Sequence, residues 1–254
     1  MKELSKLNTG FFKRNLILAK LATQLGKELF FSSEKEVSDK FGRYLQNKMG
    51  VLTEDLGQLK GSLLKAGQIL SLYGKELLPP EVENLLEQLQ SQSSFLSWNQ
   101  ISKQLDPKIL EELVISKSPI AAASIGQVHK AIDKETGKKE YALKIQYKNI
   151  QRVIDLDLKA LRLLLSFTKV VPKDYNLDSI FKEIKVMLLQ EMDYEKEANL
   201  TLKYASLAGD KYIVPQVFKE FSSKTFICTA FIKGHSIQDE VLNLSQTSRN
   251  KLGK

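Results

Sequence analysis

Apolar positions in the first half of the chain recur at steps of three and four. Over residues 52–70 they are Leu52, Leu56, Leu59, Leu63, Ala66 and Leu70, a spacing that marks one buried helix face. Thr53 suits the N-cap of that helix, and Glu54 and Asp55 fall in its first turn, where negative charge is favourable. Pro79 and Pro80 end the segment, and a shorter helix over 81–90 follows with Val82, Leu85, Leu86 and Leu89 inward. Residues 91–94 read as a loop, followed by Trp98 and two short helical segments over 99–105 and 107–114. Near Ser118 the period changes. Residues 125–132 and 141–146 alternate or run apolar at strand length, and the polar, glycine-containing stretch 133–139 between them predicts an antiparallel hairpin. Helical periodicity returns over 156–167 and 177–208, and 212–217 and 224–232 read as two further strands, the first interrupted by Pro215. From Gly234 onward there is one weak helical hint.

Composition adds limits to this pattern. With 254 residues, 43% hydrophobic and 27% charged, the chain is long and apolar enough to fold around a substantial core. Cys228 is the single cysteine, which excludes an intrachain disulfide and a multi-cysteine metal site; beside Phe226 and Ile227 it reads as a small buried hydrophobe. His129 and His235 are isolated, so no metal site is expected, and His129 reads as part of the strand scaffold.

The net charge of +8 is compatible with nucleic acid, anionic lipid or a polyphosphate ligand, and its distribution separates them. Lys2, Lys6, Lys13, Arg14, Lys20 and Lys27 lie among apolar residues of the first thirty positions, a basic amphipathic helix that is either an ordinary solvated surface helix or an interfacial one. Lys20 and Lys27 break any secretory signal, and no window supplies the roughly 18 uninterrupted apolar residues that span a bilayer. The protein is therefore expected to be intracellular, with peripheral membrane contact open. Aromatics are not interleaved with the lysines, so no nucleic-acid partner is expected.

Candidate chemistry begins at residues 119–130, Pro-Ile-Ala-Ala-Ala-Ser-Ile-Gly-Gln-Val-His-Lys. A loop that presents main-chain N–H groups to a phosphate needs small side chains, and Ala121, Ala122, Ala123, Ser124 and Gly126 meet that demand. Alanine restricts the backbone where such loops usually have glycine, so this loop is expected to be stiff. A tight turn or a helix start is the competing reading. In the following Tyr-Ala-Leu-Lys-Ile strand, alternation turns Lys144 to one face and Leu143 and Ile145 to the other; a snorkelling surface lysine is the alternative. Residues 190–200, read as part of a helix, carry Glu191, Asp193 and Glu197. Their spacings of two, four and six cannot place all three on one face, so two partners are required unless they form a solvated acidic surface. On the earlier helix, Lys65 and Gln68 are three apart and share a side, with Gly67 permitting close backbone approach.

In this order the four elements resemble the UbiB family of atypical protein-kinase-like proteins, also called ABC1 or ADCK, over roughly residues 52–234. The resemblance implies an α+β fold: a protein-kinase-like N-lobe, an antiparallel sheet plus helices, preceded by a helical extension, with the C-lobe largely absent. It divides the chain into a basic segment 1–50, an extension 51–117, the N-lobe 118–233 and the start of a C-lobe at 234–254. Lys65 to Gln68 looks like the family's Lys-x-Gly-Gln motif, Ala121, Ala122, Ala123, Ser124, Ile125, Gly126 and Gln127 like its alanine-rich nucleotide loop, and Lys144 like the strand lysine that grips phosphates. Glu191 and Asp193 match its Glu-x-Asp motif, implied to face Lys65 and Gln68, and Glu197 the helix glutamate that pairs with Lys144.

The implied ligand is ATP or ADP, in an atypical kinase or ATPase acting in ubiquinone or related isoprenoid-lipid metabolism. An anionic membrane surface, an isoprenoid lipid and quinone-biosynthesis proteins are the implied partners. Neither a catalytic-loop aspartate with its following asparagine nor an Asp-Phe-Gly-like motif occurs, so Mg²⁺ is expected only with the missing lobe. Ala230 stands where family members often carry a hinge glutamate. The alternative is a non-catalytic module that binds nucleotide or lipid.

Overall fold

The computed structural model describes residues 2–4, 43, 47, 65–67, 69–70, 94–123, 125–168, 176–234, 241 and 244–252. Ser124, Gln68, most of the basic segment and most of the 52–90 region lie outside them. At the start of the chain, β1 (Lys2–Leu4) runs parallel to β2 (Ser94–Leu96), pairing Lys2 with Ser94 and Leu4 with Leu96. These residues are extended where the sequence pattern predicts helix and loop, because cross-strand pairing outweighs a three-residue helical preference.

Two short helices follow, α1 (Trp98–Ile101) and α2 (Pro107–Glu112). Asp106 caps α2 by accepting from the Lys108 N–H at 2.9 Å, and Pro107 occupies the first helical position, where its missing donor costs nothing. The helix stops two residues before the expected end, because Leu113–Ile115 forms β3 against β5. The main sheet has the order β3-β5-β6-β7, with the two-residue β4 (Ala121–Ala122) also paired to β5. Apart from β3 and β4, it consists of the predicted hairpin β5 (Gly126–Asp133) and β6 (Glu140–Gln146), followed by β7 (Phe226–Ala230); all its pairings are antiparallel. The hairpin turn is built on Asp133, whose carboxylate accepts the N–H groups of Thr136 at 2.6 Å and Lys139 at 2.8 Å, with Gly137 at φ +65°. Those donors hold the Asp133 carboxyl down to about 2.

The 212–217 strand reduces to an isolated bridge between Val217 and Thr229. Pro215, two residues earlier, cannot donate to a ladder. Helix α3 (Ile154–Thr168) and helix α4 (Leu177–Glu191), the latter capped by Asn176, are followed by α5 (Tyr194–Ala208). The single helical run expected over 177–208 is therefore two helices. Asp193 breaks it by accepting the Lys196 N–H on its side chain at 3.0 Å, an N-cap that starts a new helix. A last helix, α6, spans Gln246–Leu252. No helix among the described residues is long and apolar enough to cross a membrane.

Period two divides the sheet. Tyr141, Leu143, Ile145 and Cys228 face a core that also holds Ile101, Ile109, Ile154, Leu158, Phe181, Ile184 and Leu188. The opposite face, with Val128, Ala142, Lys144 and Ile227, is met by α5 through a smaller cluster of Tyr194, Ala198, Val217 and Ile227.

Gln127 and His129 point into the core side and are fully buried. The Gln127 amide accepts the Leu96 N–H at 2.8 Å and donates to the Leu96 carbonyl at 3.1 Å, so it ties β2 to the main sheet. Its nitrogen also donates to His129 Nε2 at 2.8 Å, while Nδ1–H of His129 donates to the Ser116 carbonyl at 2.7 Å. That pattern fixes the neutral Nδ1–H tautomer, and desolvation lowers the His129 pKa below its ordinary value of 6.5. Gly126 is required by close approach: a Cβ there would lie 2.5 Å from the Ile145 carbonyl oxygen and 3.1 Å from the Tyr194 hydroxyl.

Gly126→Ala forces the backbone apart and is expected to cost about 1–3 kcal/mol in urea unfolding. Gln127→Leu, which leaves both Leu96 main-chain groups buried and unpaired, is expected to cost about 2 kcal/mol or more. In the unsubstituted protein the unfolded state takes up the His129 proton first as pH drops below about 6.5. The folded state binds it only lower, so the melting temperature is expected to decline from pH 7 towards pH 5, an effect absent in His129→Gln.

Candidate functional site

Lys144 is central to the site. Its Nζ donates to both carboxylate oxygens of Glu197, 2.8 Å each, joining β6 to α5 across 53 residues of sequence. The Tyr194 ring lies beneath the same ammonium, with Nζ 4.5 Å from its centroid. At 28% and 38% exposure the two side chains are partly solvated. An ion pair in such surroundings contributes about 0.2–1 kcal/mol, too little to explain its placement as a stability device. What the pairing does fix is the direction of one positive charge.

Local main-chain geometry holds these groups. The Tyr194 N–H donates to the Lys224 carbonyl at 3.3 Å, the Gln146 amide nitrogen donates to the Met192 carbonyl at 2.9 Å, and the Tyr147 N–H donates to the Ile125 carbonyl at 2.9 Å. The end of β6 therefore grips both the corner between α4 and α5 and the end of the alanine loop. Burial pushes the Tyr194 hydroxyl pKa up, reinforced by the charges of Glu197 and Glu191, so it stays neutral.

The second ion pair joins the extension to the far side of that corner. Lys65 Nζ lies 2.9 Å from Glu191 Oε1, so the carboxylates expected to need two partners do have two, Lys144 and Lys65. Asp193 does not join them: its carboxylate caps α5. Glu191 ends α4 and Glu197 belongs to α5, so the helical spacing expected across 190–200 does not govern them. Gln68, the expected companion of Lys65, is outside the described residues, as is Ser124.

The alanine loop is a tight hairpin. Ala121 pairs with Val128 and Ala122 with Gln127, and the Ala123 N–H donates to the Gly126 carbonyl at 2.8 Å. Ala121 and Ala123 are exposed, Ile125 is buried, and the Gln127 side chain is held in the core. Among the described residues of this loop, Ala121, Ala122 and Ala123 present small side chains at or near the surface, while the Ala123 N–H is taken by the Gly126 carbonyl. The sheet face beside Lys144 carries Val128 and Ala142, half-exposed, apolar and in register with Lys144 and Lys130 respectively. That face is a small apolar surface next to the Lys144 ammonium. Period-two alternation from Gly126 and Lys144 was the available signal for both residues, whereas nothing charged distinguished Tyr194.

A cavity of about 840 Å³ opens beside α5, lined among others by Lys65, Glu191, Glu197, Leu200, Tyr204 and Pro215. Glu197 and the Lys65–Glu191 pair form its polar wall. Among the described residues, no group of three or more His, Cys, Asp or Glu is arranged to hold a metal.

Known proteins share this sequence pattern and fold. The model of the ABC1 atypical kinase-like domain matches residues 88–254. The zebrafish (Danio rerio) atypical kinase COQ8B, mitochondrial, is 32% identical over 208 residues, covering 79% of this chain and 33% of the relative. The Saccharomyces cerevisiae atypical kinase COQ8, mitochondrial, is 31% identical over 206 residues, covering 78% and 40%. This chain thus spans about a third to two fifths of the length of these curated relatives. Among solved structures, Rv3197 of Mycobacterium tuberculosis, in a complex with erythromycin, is similar with a TM-score of 0.50 and 25% identity, covering 87% of this chain and 56% of that one. With a family match over most of its length and relatives at about 30% identity, the chain belongs to the ABC1 atypical kinase-like family.

Proposed function

We propose that this chain is the nucleotide-gripping part of a UbiB-type atypical kinase or ATPase, binding ATP or ADP in ubiquinone or related isoprenoid-quinone metabolism, inside the cell and at a membrane surface. The observation that carries the reading is the bidentate contact of Lys144 with Glu197. It holds a strand lysine beside the apolar Val128 and Ala142 face, the arrangement that a base and its phosphates require.

In this reading the base lies against Val128 and Ala142, Lys144 neutralises the α- and β-phosphates, and Glu197 keeps the ammonium aimed between turnovers. The hairpin of Ala121, Ala122 and Ala123 closes over the phosphates. Lys65, held by Glu191, keeps the extension against the corner that carries Glu197, so a folded protein substrate meets an obstructed pocket. Bound Mg²⁺ would offset phosphate charge during transfer. Among the described residues no group of three or more His, Cys, Asp or Glu is placed to hold it.

The cavity favours a second reading, a module that binds an apolar molecule with a polar end. Its walls include Ile69, Met187, Leu200 and Ile213, with Lys65 and Lys196 at the margin. The mycobacterial neighbour was solved with erythromycin, which supports ligand capture by this kind of fold.

Titration of the chain with ATP and ADP separates the readings. Lys144→Ala is expected to weaken nucleotide binding about tenfold or more, the scale of a charge-assisted hydrogen bond. Unchanged affinity in that variant, or saturable uptake of an isoprenoid quinone analogue with no nucleotide binding, supports the second reading. If the protein carries a further kinase-like lobe, γ-phosphate release without peptide phosphorylation is the expected activity; robust phosphorylation of a peptide panel contradicts the obstructed pocket.

A further inference from the structure

Tyr194 opens α5 and is fully buried, yet its hydroxyl has no hydrogen-bond partner among the described residues. Burying an unpaired hydroxyl is unfavourable, and a phenylalanine of the same shape would avoid it. Three contacts define where the side chain is wedged. Its ring carries the Lys144 ammonium at 4.5 Å. Its hydroxyl end lies under the alanine loop, 3.1 Å from where a Cβ on Gly126 would be. Its own helix places Glu197 three residues later, about one turn on, with its carboxylate oxygens 2.8 Å from the same ammonium.

The ring cannot slide. Main-chain bonding to Lys224 fixes its root, its hydroxyl lies 3.1 Å from where a Cβ on Gly126 would be, and Ala198, Val217 and Ile227 share its cluster. A carboxylate alone lets a four-carbon lysine stem approach from many directions, since the ammonium is a compact charge with freely rotating donors. An aromatic face beneath it removes most of them, because attraction to the ring is strongest along the ring normal.

We propose that Tyr194 is a positioning residue for the phosphate grip: its ring, wedged between the Gly126 turn and Lys144, sets the direction in which the Lys144 ammonium meets a nucleotide phosphate. The inference deepens the nucleotide reading and rests on it for the ligand, whereas the effect on Lys144 itself is independent of any ligand. Tyr194 touches neither phosphate nor base, and acts through the lysine.

The test reads both levels. Pulse acetylation of the ligand-free chain by an N-hydroxysuccinimide ester, followed by mass spectrometry, gives the labelling of Lys144 relative to the exposed Lys108. Tyr194→Leu is expected to raise that ratio about threefold or more by releasing the ammonium from the ring, and Tyr194→Phe to leave it within about twofold of the unsubstituted chain. ATP affinity should fall about tenfold in Tyr194→Leu and recover in Tyr194→Phe. Phenylalanine at 194 carrying one, two, three and five ring fluorines keeps the shape but drains the ring face of negative charge, so labelling should rise and ATP affinity fall stepwise with fluorine number. A purely structural role predicts no such gradient. Equal Lys144 labelling across the fluorinated series and Tyr194→Leu overturns the proposal; should Tyr194→Leu fail to fold, the fluorinated series decides alone. If the unsubstituted chain binds neither ATP nor ADP, the nucleotide reading fails while the labelling gradient still decides the role of Tyr194.

Discussion

Lys144 stands on a central strand of the sheet, partly out of water, and an acid from another element holds its ammonium in one direction; the rest of the site is arranged around that contact. Lys144 and Glu197 are 53 residues apart, so the loop that closes between them carries an entropic cost their own attraction cannot offset. Other contacts must therefore bring α5 to β6. Those contacts are the apolar cluster of Tyr194, Ala198, Val217 and Ile227, the bond from Gln146 to the Met192 carbonyl, and the bond from Tyr194 to Lys224. Once packing has placed α5, the ion pair adds direction rather than stability.

Asp193 decides where that helix begins. Had α4 continued through it, Glu191 and Glu197 would lie six residues apart on one rod, about 120° apart around its axis, facing widely different directions. Capping by Asp193 inserts a corner, and each glutamate then ends beside its own lysine. The short polar side chain that looked in the sequence like a third member of an acidic cluster is the residue that separates the other two.

What could be read from the sequence follows from which signals are local. The β5–β6 hairpin was legible because alternation and the Asp133 to Gly137 turn both act within a few residues. β3 and β4 were not: two or three residues have no period, and both exist only by pairing with β5. The residues of the ion pairs stood out as charged positions, but which acid meets which lysine was legible only through the family resemblance. Gln127 shows the limit of motif reading. It stands inside the loop motif, yet alternation from the half-exposed Val128 turns it, like His129, into the core, where its amide holds Leu96. Tyr194 carried no signal, since a ring beneath an ammonium is a contact between two elements far apart in sequence.

The corner also explains why the extension matters to a site it does not line on the sheet face. Glu191, the last residue of α4, binds Lys65; Met192 offers its carbonyl to Gln146; Tyr194, the first residue of α5, lies under Lys144. Within four consecutive positions the chain contacts the extension, the sheet end and the strand lysine. Gln146 is followed directly by Tyr147, whose N–H holds the Ile125 carbonyl at the end of the alanine loop. Loop, lysine, corner and extension are thus linked by short bonds through two adjacent residues of β6's end. Beside Lys65, the side chains of Ala66, Ile69 and Leu70 are buried in the main core, so packing holds this part of the extension in place and the partly exposed Lys65–Glu191 pair adds direction rather than stability, as Lys144–Glu197 does for α5.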